Sequence, residues 1–174
     1  MLVTLRYSHG APQVEEYGSG PAGPTHSFER RNPMTIGLTP YLRFAGDAKE
    51  AMEFYHQVLG GELSMMTFQE GMNDNNPAVA DQIMHSSLFV ERGLHFMASD
   101  TPPEMDVRGN GVIALSSDGT AGADAETLTR WWEGLGEGGQ INMPLERAPW
   151  GDSFGELRDK FGVVWMFNIT AVAS

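Results

Sequence analysis

A pattern that recurs within one chain limits its fold more tightly than composition does, because each copy carries a face that it cannot bury alone. Here Gly60-Gly61-Glu62-Leu63-Ser64-Met65 returns 78 residues later as Gly138-Gly139-Gln140-Ile141-Asn142-Met143. A helical stripe precedes each copy: Ala48, Ala51, Met52, Tyr55, Val58 and Leu59 in the first, Leu128, Trp131, Trp132 and Leu135 in the second. The pairs Phe54-Tyr55 and Trp131-Trp132 stand at nearly the same offset, and Glu91-Arg92-Gly93-Leu94-His95-Phe96-Met97 matches Lys160-Phe161-Gly162-Val163-Val164-Trp165-Met166. Asp47 and Glu50 have capping-box spacing at the start of the first helix, and Gly60-Gly61 stops it. Each half thus reads strand, helix, strand, strand, strand. The spans are about 37–44, 47–59, 62–69, 83–91 and 94–100, then 111–117, 124–135, 140–147, 153–159 and 163–169. The fold class is α+β: two βαβββ modules, about 35–103 and 109–170, related by a pseudo-twofold axis around a concave sheet cleft, which is where small ligands usually bind.

Residues 1–33 lack this pattern. Gly18, Gly20, Pro21, Gly23 and Pro24 crowd together with no sustained apolar period, so we expect a disordered extension there and a single domain over 34–174. The polar run from Gly71 to Gln82 is long enough for a mobile flap or a dimer arm. Eleven basic residues against 23 acidic ones give a formal charge of −12, a field that repels nucleic acid and anionic membrane surfaces. Without cysteine, disulfides, Cys-ligated metals and cysteine nucleophiles are excluded. No stretch has the length and apolarity of a membrane span or a signal peptide, so a cytoplasmic location is expected. No glycine-rich strand-turn-helix fingerprint supports a doubly wound nucleotide or S-adenosylmethionine domain.

Several motifs point to one family. Thr39-Pro40-Tyr41-Leu42-Arg43-Phe44, Glu53-Phe54-Tyr55 with Val58-Leu59-Gly60-Gly61-Glu62, His85, Ser99-Asp100, Trp150-Gly151-Asp152 with Phe154-Gly155, and Asp159-Lys160-Phe161-Gly162-Val163 leading to Trp165-Met166 and Asn168-Ile169 resemble the PhnB-like branch of the vicinal-oxygen-chelate superfamily. That superfamily contains glyoxalases, bleomycin resistance proteins and extradiol dioxygenases. The resemblance implies a homodimer of paired modules. It also implies where a divalent ion would sit in metal-dependent members: on the first and last strands, at positions that here carry Thr39 (or Pro40), Met97, Val112 and Met166. Thioethers, a valine and a neutral hydroxyl are poor ligands for such ions, so no metal or other cofactor is expected.

Strand alternation, anchored on those positions, turns Thr39, Tyr41, Arg43, His95, Met97, Ser99, Val112, Ala114, Val164, Met166 and Asn168 toward the cleft. The ligand-binding candidates are Tyr41, Arg43, His85, His95, Trp150, Met166 and Asn168, a mostly apolar lining suited to an organic molecule with an anionic or carbonyl end. Arg43 is expected to pair with a nearby carboxylate rather than a ligand. His85 is the one catalytic candidate, weighed against a histidine satisfied by a backbone carbonyl at a sheet edge; His95 is weighed likewise. Trp150 either stacks on a planar ligand or lids the core, and Asp159 is expected to fix a turn. The leading reading is a metal-free homodimer that binds a small organic molecule. The alternatives are a lyase, isomerase or dioxygenase with a displaced metal near His85, His95 or Glu156, and a protein-interaction module with a vestigial cleft.

Overall fold

A computed structural model describes residues 38–101, 105, 109–119 and 122–171. The extension expected over 1–33 lies outside the described residues. The first module runs β1 (Tyr41–Phe44), α1 (Ala48–Leu59), β2 (Glu62–Thr67), α2 (Phe68–Met72), β3 (Ile83–Val90), a single 3-10 turn (Glu91–Gly93) and β4 (Leu94–Asp100). The second runs β5 (Val112–Ser117), α3 (Gly122–Gly136), β6 (Gln140–Arg147), β7 (Ser153–Arg158) and β8 (Val164–Ile169). The sheets are four-stranded, ordered β1-β4-β3-β2 and β5-β8-β7-β6. In both, the first and last strands pair in parallel and the rest antiparallel, so the duplication read from the sequence is the architecture.

One face of each sheet is covered by its helix. Leu42, Phe44, Leu88, Phe96 and Ala98 are buried with Ala48, Ala51, Met52 and Tyr55 of α1, and Leu115, Leu157, Trp165 and Phe167 with Leu128, Trp131 and Leu135 of α3. These helix-bearing faces also join the modules. Tyr55 meets Phe96 and Trp165 edge-on, with centroids 5.7 and 5.5 Å apart, and Phe96 lies 6.3 Å from Trp165. Helices α1 and α3 touch, since a Cβ on Gly134 would come within 2.7 Å of Val58.

Asp159 closes this junction. Its Oδ2 accepts hydrogen bonds from the Tyr55 hydroxyl and Trp165 Nε1, both at 2.8 Å. Its Oδ1 accepts from the backbone of Phe161 and Val163 at 2.9 and 3.0 Å, so it does fix the turn, and it ties the two modules as well. Burial and the adjacent carboxylate push the Tyr55 hydroxyl far above its ordinary pKa of 10. The neutral phenol is therefore favoured in the folded state, and the unfolded chain releases its proton first. The expected outcome is stability that is full below pH 10 and falls as pH rises above it. Urea midpoints across that range should show a slope that Tyr55→Phe reduces.

The structure corrects two local expectations. The Asp47 side chain makes no cap bond; Asp100, at the end of β4, accepts from Gly46 N and Ala48 N at 2.9 and 3.0 Å and caps α1 instead. Asp100 also accepts from Ile83 N at 2.8 Å, so one buried carboxylate fastens three segments. Strand β2 stops at Thr67 because Thr67 and Glu70 form a capping box that starts α2, which holds the Glu70 carboxyl below its usual range. The base of the run to Gln82 is closed by backbone hydrogen bonds, with Phe68 N donating to Gln82 O and Gln69 N to Ala80 O, both at 3.0 Å. Finally, because the modules pack through their helix sides, the other sheet faces look outward.

Candidate functional site

The outward face of the first sheet is set by alternation and register. Tyr41 and Arg43 of β1 stand beside Met97 and Ser99 of β4; Met97 pairs with Ser87 and His95 with Phe89 of β3. Extending that register by one residue brings His85 beside Ser99. His95 is locked in place: its Nε2 lies 2.8 Å from Ser87 Oγ, its Nδ1 3.5 Å from Thr39 Oγ1, and its ring stacks on Phe89 at 3.8 Å and 7°. His85 is looser, with Nδ1 3.3 Å from the Tyr41 hydroxyl. It sits on an interior strand and meets a side chain, so the sheet-edge carbonyl contact expected for it does not occur. Arg43 is exposed, and no carboxylate among the described residues pairs with it, contrary to expectation. Its backbone is held instead, as Arg43 N donates to Asn110 Oδ1 at 2.7 Å and Arg43 O accepts from Asn110 Nδ2 at 3.2 Å.

The second sheet presents the matching set. Val112, Ala114 and Ser116 of β5 pair with Val164, Met166 and Asn168 of β8, and Glu156 and Phe154 of β7 stand beside Met166 and Asn168. Asn168 Nδ2 donates to Asp152 Oδ2 at 2.9 Å, and Asn142 Nδ2 to Glu156 Oε1 at 3.0 Å. Trp150 is exposed beside Phe154, with ring centroids 5.7 Å apart, so it stands over this outward face and does not lid the core. The candidates therefore fall on two separate faces: Tyr41, Arg43, His85 and His95 on the first sheet, Trp150, Met166 and Asn168 on the second. Ser87 and Phe89, which fix His95, went unpredicted; the alternation that begins at His85 would have found them.

Large apolar side chains are exposed on both faces, among them Tyr41, Met66 and Phe89 on the first and Val112 and Met143 on the second. A cavity of about 450 Å³ lies elsewhere, between α3 and the Glu91–Gly93 turn. Its walls include Leu94, Leu128 and Trp131 with the Arg92–Asp124 ion pair, and none of the seven ligand-binding candidates lines it.

The positions that would hold the superfamily's divalent ion do not fit one. Thr39, Met97, Val112 and Met166 offer two thioethers, one hydroxyl and no charge. Among the described residues no three His, Asp or Glu side chains gather at a point. His85 and His95 are four register steps apart, about 13 Å along the sheet, too far to share an ion.

The paired modules, each a four-stranded mixed sheet covered on one face by a helix, match the α+β architecture expected from the sequence. The chain belongs to the family described as 3-demethylubiquinone-9 3-methyltransferase, whose model matches residues 37–168. It is similar to protein YjdN of Escherichia coli (strain K12), 31% identical over 144 residues that cover 76% of this chain and 94% of that one. The crystal structure of PA1353 from Pseudomonas aeruginosa shares 39% identity and a TM-score of 0.64, covering 79% of this chain and 99% of that one. The putative 3-demethylubiquinone-9 3-methyltransferase, PhnB protein, from Bacillus cereus shares the fold at 24% identity and a TM-score of 0.53, covering 78% and 100%.

Proposed function

We propose that the protein is a homodimer that binds a small organic molecule in clefts formed between copies, without a metal ion of its own. The observation that carries this reading is the packing of the modules through their helix sides. It leaves two outward sheet faces, each half a cleft, with aromatic and thioether side chains in water. Apolar surface of that kind marks an interaction site. A first-sheet face of one copy set against a second-sheet face of its partner makes two equivalent clefts by a twofold axis.

The family description names a methyl transfer. The described residues form two mixed sheets and no doubly wound parallel sheet with a phosphate-binding turn, so we keep to ligand binding for this chain. The reading is tested by a fragment screen on the full chain, read as thermal shift. A ligand at 100 times its Kd stabilises by about 2.7 kcal/mol. Hits are expected whose shift is lost in Met97→Lys, at the centre of the first face. An absence of hits, or hits indifferent to this substitution, contradicts the reading.

A further inference from the structure

The duplication supplies an internal control on which polar groups the fold itself requires. Pairing Tyr41 with Met97 and Ala114 with Met166 sets the two sheets in correspondence. Arg43 then corresponds to Ser116, Ser99 to Asn168, and His85 to Phe154. The second module builds the same strands in the same order with a serine, an amide and a phenyl ring at these places. Neither the guanidinium nor the imidazole is therefore needed to form the sheet.

What the first module has instead is a row of hydrogen-bond donors across three adjacent strands. At about 4.8 Å per strand, Arg43 on β1, Ser99 on β4 and His85 on β3 span about 10 Å. The Tyr41 hydroxyl engages Nδ1 of His85 at 3.3 Å, and in the tautomer in which that hydroxyl donates, Nε2 carries the ring proton and is the donor offered to a ligand. Arg43 is exposed and has no ion-pair partner among the described residues, although the chain carries 23 acidic residues against 11 basic ones. The grip of Asn110 on its backbone fixes where the side chain starts without occupying the guanidinium. Next to this row lie Met97 and the stacked Phe89–His95 pair, an apolar floor.

We infer that the ligand of this cleft is an organic anion whose carboxylate or similar oxyanion sits on the Arg43–Ser99–His85 row, with its apolar body over Met97 and toward Phe89. The inference rests on the ligand-binding reading above and adds the charge class. It runs against the global field: a net charge of −12 attracts cations and repels anions, so non-specific binding gives the opposite preference. A planar bidentate fork suits a carboxylate.

The test uses matched aromatic probes, each scaffold as its carboxylate, its primary amide and its amine, titrated into the full chain at low salt by ligand-observed NMR. The carboxylates are expected to bind at least tenfold more tightly than their amides, with amines weakest. Arg43→Met should remove that preference, bringing carboxylates and amides within twofold of one another, with the thermal midpoint unchanged. Arg43→Lys should restore only part of it. Amides and amines binding as well as carboxylates, or a carboxylate preference that survives Arg43→Met, overturns the inference and leaves the cleft reading standing. Failure of all three probe classes and of the wider fragment screen removes that reading along with it.

Discussion

Asp159→Ala is expected to destabilise the protein by about 3–5 kcal/mol, a size characteristic of breaking a buried charged network. The residue is 3% exposed and its two oxygens receive four hydrogen bonds, two from side chains and two from backbone. Alanine would strand the Tyr55 hydroxyl, the Trp165 indole and two amides in the layer where the modules meet. Each unpaired buried donor costs about 1–3 kcal/mol. For a chain of this size the loss corresponds to a fall in Tm of about 6–20 °C. Asp159→Asn keeps one carbonyl acceptor but turns an amide donor toward other donors, so it should recover only part of the loss. Glu156→Ala, on the outward face of the neighbouring strand, is the contrast and should shift the midpoint by less than about 1 kcal/mol. Urea unfolding measures all three; equal effects from Asp159→Ala and Glu156→Ala would mean that the junction is not what holds the modules together.

The fold was legible because each module states its periods twice. A stripe such as Ala48, Ala51, Met52 and Tyr55 makes sense only against a sheet, and the pair of Gly60-Gly61 and Gly138-Gly139 aligned the two copies. Where the reading went astray, the deciding partner was distant in sequence. Asp47 and Glu50 have the spacing of a capping box, but Asp100 reaches the helix end first from across the sheet. The true box, Thr67 with Glu70, was hidden because an apolar run made Phe68 look like more strand.

The candidate site was legible as a set of faces and illegible as a place. Alternation correctly put Tyr41, Arg43, His95, Met97 and Ser99 on one side of a sheet, and Val112, Ala114, Met166 and Asn168 on one side of the other. Which way those sides turn depends on the junction of Tyr55, Phe96, Asp159 and Trp165, which are 104 residues apart at the Tyr55–Asp159 bond. No local pattern announces that contact. The expected Arg43 ion pair is not found among the described residues for a related reason: abundance of carboxylates in the chain says nothing about which sheet face carries them.

The central claim, that a first-sheet face of one copy meets a second-sheet face of another, is tested most directly by mass in solution. Analytical ultracentrifugation should find the chain at twice its 19.0 kDa. Phe89→Asp on the first face and Val112→Asp on the second, both at exposed positions, should each give folded monomers by placing a charge in an apolar contact, with the dimer Kd raised at least a hundredfold. Mixing the two variants should bring dimer back, because a mixed pair has one contact with both charges and one with neither. A monomeric wild-type chain, dimers indifferent to either charge, or no recovery on mixing would contradict the account.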